Sequence, residues 1–330
     1  MTVRALAAGL LLATLAGCAD DRVGPTPTST PESTPASTPA STPAEPGDPG
    51  AASLAVLDNR SPLPGLVFGS MNLPNSALNS VHTGWMQGGP LDPSNILSYL
   101  SGARARGGRV VIKLCKGRDD YVKNPDGTFS LSKWEALVAR YRNVNLGPYI
   151  DDGTILGHYL IDEPHRASRW GGKIIPPSTL EAMAKYSKQL WPGMTTMVRV
   201  APSWLAGFST TYTYVDAGWA QYASGKGDAG AWIAAEVAAA KRKGLGIVVG
   251  LNVLDGGDGS SRIAGRTRGD YAMSASEIRS YGSALLGQSY GCGFFNWTYD
   301  SGYYGRTDIK SAMAAMSTTA RAHAKTSCRQ

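Results

Sequence analysis

Between residues 66 and 297, short apolar runs alternate with longer stretches of helical apolar spacing, and this alternation constrains the fold more than any other feature of the chain. Strands are expected at 66–71, 81–85, 109–114, 155–161, 195–200, 213–217, 246–253 and 292–297. Helical patterns follow at 93–106, 130–142, 177–190, 228–243, 274–286 and 308–324, while 74–80 and 203–208 hold little more than a turn each. Several helix starts carry capping residues: Asp92 before Pro93, Ser178 with Glu181, Ser274 with Glu277, and Asp308. Strand and helix in repetition imply a parallel sheet wrapped by helices, because parallel neighbours need a long crossover. Eight repeats in a stretch of this length predict one α/β domain, a closed (β/α)8 TIM barrel.

The residues before it read differently. Residues 1–18 carry one cation, Arg4, then an apolar run from Ala5 to Leu15 that is too short to span a bilayer and ends on Leu15-Ala16-Gly17-Cys18. That pattern looks like a lipoprotein signal peptide whose lipobox ends on Cys18, the residue that would be lipidated. Residues 19–51 are mostly Pro, Thr, Ser, Ala and Gly with a four-residue Ser-Thr-Pro repeat, which predicts a disordered tether with almost nothing to bury. The expected order is therefore signal peptide 1–18, linker 19–51 and barrel 52–330, in an exported protein held to a bacterial membrane by its lipid. The chain carries a formal charge of +7 and its signal and linker are net acidic, so the barrel is more basic still. Such a domain favours anionic surroundings, acidic polysaccharide or lipid headgroups. Export and the absence of a concentrated Lys/Arg run argue against nucleic acid.

The cysteines test the layout. In a (β/α)8 barrel each helix runs back toward the N-terminal face, so Cys328, past the last helix, should meet Cys292 at the start of the last strand. An exported protein permits that disulfide. Cys115 falls at the opposite end and is expected to stay a free thiol.

Strand residues alternate between barrel interior and helix layer, so placing each strand's apolar set outward fixes where its polar residues point. Val110, Ile112 and Leu114 face out, so Lys113 faces in. The same phasing sends Arg199, Asp216 and Asn252 inward, and Asn296 and Ser70 similarly. Glu163 ends the fourth strand in register with Tyr159 and Ile161. All lie at C-terminal strand ends, the face where barrel enzymes build their sites. A ring of internal ion pairs, Lys113 and Arg199 against Glu163 and Asp216, would use the same residues. Trp85, Trp170, Trp204, Trp219 and Trp297 fall at or after strand ends, as platforms for pyranose rings or as core closing the barrel top.

The run Gly157-His158-Tyr159-Leu160-Ile161-Asp162-Glu163-Pro164 resembles the fourth strand of the large clan of retaining (β/α)8 glycoside hydrolases, which ends in Asn-Glu-Pro. The resemblance implies that Glu163 is the general acid/base of a polysaccharide-cleaving enzyme, with Lys113 or Arg199 tuning it. The candidate sugar-binding residues, from their place at the strand ends, are Lys113, Asp162, Arg199, Asn252, Asn296, Trp297, Trp219 and Trp85. Asp162 stands where the clan has Asn, so the clan's contact to the sugar 2-hydroxyl is not carried over. Strand seven offers Asn252 where the clan has its nucleophilic Glu, leaving Asp255 or Asp216 as second carboxylate. A separation from Glu163 of roughly 5 Å would mean retention, and roughly 6.5–9.5 Å inversion. Without either, the domain would be a non-catalytic glycan-binding lipoprotein; a lyase or aldolase using Lys113 is the remaining barrel chemistry. The run 255–260 lacks the complete spacing of a calcium loop, the four histidines lack zinc spacing, and no glycine-rich phosphate motif follows a strand, so neither metal nor cofactor is expected.

Overall fold

The computed structural model of the chain describes residues 65–324 with 327 and 328. Cys18, the signal segment and the Pro/Thr/Ser-rich linker lie outside the described residues. Eight parallel strands close on themselves in chain order: β1 (Phe68–Met71), β2 (Gly84–Met86), β3 (Arg109–Ile112), β4 (Ile155–Asp162), β5 (Thr196–Arg199), β6 (Ala217–Tyr222), β7 (Gly246–Leu251) and β8 (Gly291–Asn296). Closure is made by β8 against β1, with Phe294, Phe295 and Asn296 beside Phe68, Gly69 and Ser70. Around them run α1 (Ile96–Arg104), α2 (Leu131–Ala139), α3 (Gly147–Asp151), α4 (Pro177–Leu190), α5 (Pro202–Ala206), α6 (Ala229–Arg242), α7 (Ala275–Leu286), α8 (Ser301–Gly305) and α9 (Thr307–Ala322).

The alternation of strand side chains divides the core into two layers. Val67, Met71, Met86, Val111, Tyr159, Met197, Trp219, Val248 and Phe295 fill the barrel. Val110, Ile112, Val198, Val200, Ile247, Val249 and Leu251 pack outward against the helices, as the phasing predicts. Capping follows the sequence in part. Ser274 and Glu277 form a reciprocal capping box on α7, and Ser130 and Asp228 cap α2 and α6. Pro176 precedes α4, and Glu181 does not reach back to a cap. Its carboxylate instead accepts the backbone N–H groups of Thr213, Tyr214 and Val215.

That contact explains why the expected strand at 213–217 is a loop. Its donors are spent on Glu181, and the sixth strand begins only at Ala217, where Gly218 lets β6 pack close to Val200 and Pro202. The shift carries Asp216 to the N-terminal end of β6, opposite its expected place. Cys292 and Cys328 are joined with Cα atoms 5.1 Å apart, as predicted, and Cys115 is a buried free thiol. The Cys328 carbonyl lies so close to Gly246 that a Cβ there would sit 2.5 Å from it, and Gly65 is similarly wedged against the carbonyls of Ala320 and Arg321.

Candidate active site

β3, β4 and β5 bring the charged residues together. β4 pairs with β5 through His158 and Thr196, then Tyr159 and Met197, but the next pair is Asp162 with Arg199. Three steps on β4 thus match two on β5, and this extra residue reverses the phase. Ile161, expected inward with Tyr159, joins Leu160 in the outer core, and Asp162 is set against Arg199 in the barrel mouth. Glu163 follows in the left-handed region, with φ of 43°. A side chain disfavours that conformation. Three bonds hold it there: Glu163 N–H donates to Arg199 O, and Glu163 O accepts from Arg166 N–H and from Trp170 Nε1.

The two carboxylates sit in a lattice of guanidinium groups. Asp162 Oδ1 is 2.7 Å from Arg199 Nη1 and its Oδ2 2.9 Å from Arg169 Nη1. Glu163 Oε2 accepts from Arg166 and Arg169, each at 2.9 Å, while Oε1 stands 3.6 Å from Arg199. Arg169 also donates through Nε to Asp119, so one guanidinium holds three carboxylates. Arg199 spans the floor of the mouth, bonded to Gln221, with its Cζ 5.0 Å from the Trp219 ring centre and 5.8 Å from that of Trp297. The Trp297–Thr298 peptide bond is cis. Burial pushes the Asp162 carboxyl up, but Arg199, Arg169 and Lys113 outweigh it and hold it well below the usual carboxylate range. Burial, reinforced by Asp162, drives the Tyr159 phenol far upward. Asp162 is therefore a fixed anion. Of the four oxygens of Asp162 and Glu163, Glu163 Oε1 is the one without a cation at hydrogen-bonding distance, its nearest guanidinium nitrogen being that of Arg199 at 3.6 Å.

Lys113 lies inward as predicted, 4% exposed, with Nζ 5.5 Å from the Tyr159 ring centre. Asn252, on the inward side of β7, bridges to Trp297. Trp297 is half-buried, with Arg266 Cζ 5.6 Å from its ring centre, so it borders the mouth. Trp204, half-buried on α5, rests beside His165 and Phe208.

Other expectations are corrected. Asp216 accepts from Lys188 Nζ of α4 at 2.6 Å and from Thr196 N–H, at the N-terminal end of β6, away from Glu163. Asn296 faces the helices, because Phe295 takes the inward position. Its Oδ1 accepts from Leu251 N–H and its Nδ2 meets Met313 Sδ of α9. Ser70 likewise turns outward, to the Tyr304 hydroxyl. Trp85 is fully buried against Tyr99 of α1, since Met86 occupies the inward position of β2. Trp219 lies within the barrel at mid-strand, and Trp170 is buried beneath the β4 loop. Asp255 stays near the C-terminal end of β7, but its carboxylate accepts Thr267 N–H and Thr267 Oγ1 and so closes its own loop.

Arg166, Arg169, Asp119 and Gln221 escaped the sequence reading. The arginines stand three and six residues after Glu163, a spacing that one tight turn brings back onto its carboxylate. Gln221 was hidden by the misplaced sixth strand. A cleft of about 500 Å³ bordered by Arg142, Asn145, Asp151 and Trp191 lies around α3 and the end of α4, away from these residues. No group of His, Cys, Asp and Glu among the described residues could hold a metal ion.

No family model matches the chain, and no curated protein matches its sequence. Solved structures do match. A β-glucanase from Saccharophagus degradans is 10% identical with a TM-score of 0.53, over 78% of this chain and 88% of that one. An intracellular xylanase from Thermoanaerobacterium saccharolyticum is 12% identical with a TM-score of 0.48, over 71% and 86%. A GH18 chitinase from Pseudoalteromonas aurantia is 13% identical with a TM-score of 0.44, over 76% and 99%. The likeness to the β-glucanase establishes the shared (β/α)8 fold.

Proposed function

We propose that the barrel acts on a polysaccharide, cleaving its glycosidic bonds with Glu163 as general acid/base. The observation that carries this reading is the pose of Glu163. It stands at the C-terminal end of β4, with one oxygen clamped by Arg166 and Arg169 and the other left toward the mouth. A proton donor must be held in place yet keep one oxygen for the departing group. Trp297 borders the same mouth, 5.8 Å from the Arg199 guanidinium that also stands over Glu163 Oε1, and the (β/α)8 fold is shared with a β-glucanase. Asp255 is the carboxylate left as partner once Asp216 is assigned to the opposite end of β6.

A second reading, glycan binding without cleavage, is favoured by Asn252 at the inward position of β7 and by the Thr267 bonds that occupy Asp255. Release of reducing ends from β-glucan, xylan, mannan and chitin separates the two. Under the first reading Glu163→Gln lowers turnover by about 100-fold or more and keeps binding. Glycan binding with no reducing ends from the unaltered protein would sink the first and leave the second.

The reading extends to location. The protein is exported and tethered through a lipid on Cys18, and Cys18→Ser should abolish incorporation of labelled fatty acid. Retained label in that variant would refute the anchor.

A further inference from the structure

The carboxylates of the mouth are matched to guanidinium groups. Asp162 is held by Arg199 and Arg169, Glu163 by Arg166 and Arg169, and Asp119 by Arg169. One cation is left over. Lys113 is 4% exposed, yet its Nζ makes no hydrogen bond or ion pair among the described residues. Its neighbour is the face of Tyr159, 5.5 Å away, and Asp162 acts on it only from beyond ion-pair distance. A buried ammonium without a counter-ion is costly, and the cost is relieved when an anion enters. A second unmatched donor lies in the same barrel. Trp219 Nε1 is buried without an acceptor among the described residues, in the space that Gly250 leaves by having no side chain. At the rim Arg266 lies over Trp297 and is exposed. The mouth thus offers an unpaired ammonium and a surplus of positive charge beside Trp297, with the unmatched Trp219 Nε1 deeper in the barrel.

We propose that this surplus is a subsite for an acidic sugar, in which Lys113 takes the carboxylate or sulfate of a residue whose ring packs on Trp297. The proposal rests on the carbohydrate reading above and names its substrate class: an anionic polysaccharide. Lys113 acts here as a binding residue, independent of the proton transfer assigned to Glu163. Arg199 contributes less, because its guanidinium is occupied by Asp162 and Gln221.

The test measures binding of the intact protein to polygalacturonate, to its methyl ester, to dextran sulfate and to dextran at fixed ionic strength. The acid polymer is expected to bind at least about tenfold more tightly than its methyl ester, with Lys113→Met reducing that preference to within about twofold and Lys113→Arg restoring most of it. Arg118→Ala, which alters an exposed pair with Asp120, serves as the control for general surface charge and should leave the preference unchanged. Preference for polygalacturonate assigns a carboxylate subsite, and preference for dextran sulfate a sulfate subsite. Equal binding of charged and neutral polymers overturns the acidic subsite while leaving the carbohydrate reading intact, and so does a preference that survives in a folded Lys113→Met protein. Binding to none of these glycans, nor to β-glucan, xylan, mannan or chitin, overturns both.

Discussion

Two histidines packed between the barrel and its helices should make the protein labile to mild acid, in a window where few carboxylates titrate. His158 projects outward from β4, stacked on Trp134 at 5.8 Å and edge-on to Trp191, with Nδ1 bonded to Ser187 Oγ and Nε2 buried without a partner among the described residues. His82 lies between Phe68 and Tyr304. Burial lowers His158 from 6.5 to about 3 and His82 to about 4. Both are neutral in the folded protein, whereas the unfolded chain binds a proton at each below pH 6.5. Their stabilising contribution is complete above that value and is lost as the pH falls toward 4. At pH 5 unfolding takes up about two protons, a slope of about 2–3 kcal/mol per pH unit, and between pH 7 and 5 the loss comes to about 4 kcal/mol. Asp162 adds to the loss only at lower pH, because its folded-state carboxyl lies below the ordinary range. The assay is urea denaturation at half-unit steps from pH 7 to 4.5, with calorimetry in two buffers of different ionisation enthalpy to count protons. His158→Phe should halve the slope, as should His82→Gln. Stability that stays level from pH 6.5 to 4.5, or uptake of less than one proton at pH 5, would refute the assignment.

Reducing the bridge between Cys292 and Cys328, 36 residues apart, should cost roughly 3–4 kcal/mol, read as a lower melting temperature in reductant that a Cys292→Ser/Cys328→Ser protein reproduces without it. Arg169→Met leaves Asp162, Glu163 and Asp119 short of their shared cation, so stability should fall by about 3 kcal/mol or more and glycan turnover with it; unchanged melting would contradict the shared-cation geometry. Asp216→Asn weakens the contact with Lys188 at the far end of β6, and is expected to lower the melting temperature while turnover stays within about twofold. A collapse of activity in that variant, with stability intact, would put Asp216 back in the reaction.

Much of the fold was legible because its signals are local and repeated. Val110, Ile112 and Leu114 on β3, or Ile247, Val249 and Leu251 on β7, leave one answer for which side faces the helices, and Lys113 and Asn252 were placed correctly on that account. The failures share a cause. Alternation is a reliable guide only while register is unbroken, and the extra residue between Tyr159 and Asp162 turns Ile161 outward and sets Asp162 against Arg199 without altering any local pattern. β6 was misread because Ala217-Gly218-Trp219-Ala220 lacks the β-branched residues that mark a strand, while Thr213 to Val215, which look more extended, are claimed by Glu181 from another element. Asn296 was sent inward although Phe295 beside it is the better filling for a barrel. The arginine lattice depends on how the loop after β4 folds back, and spacing alone does not say which carboxylate a long side chain will reach.

The wedging of Gly65 against the end of α9, together with the Cys292–Cys328 bridge beneath β7 and β8, also determines an orientation. The described part of the chain enters and leaves at one pole of the barrel, and Glu163, Arg199 and Trp297 occupy the other. A support attached through the residues before Gly65 therefore joins the domain at the pole opposite the mouth. A bead coupled at that end would leave the residues of the mouth outside the attachment, accessible to a polymer too large to slip between the domain and the surface.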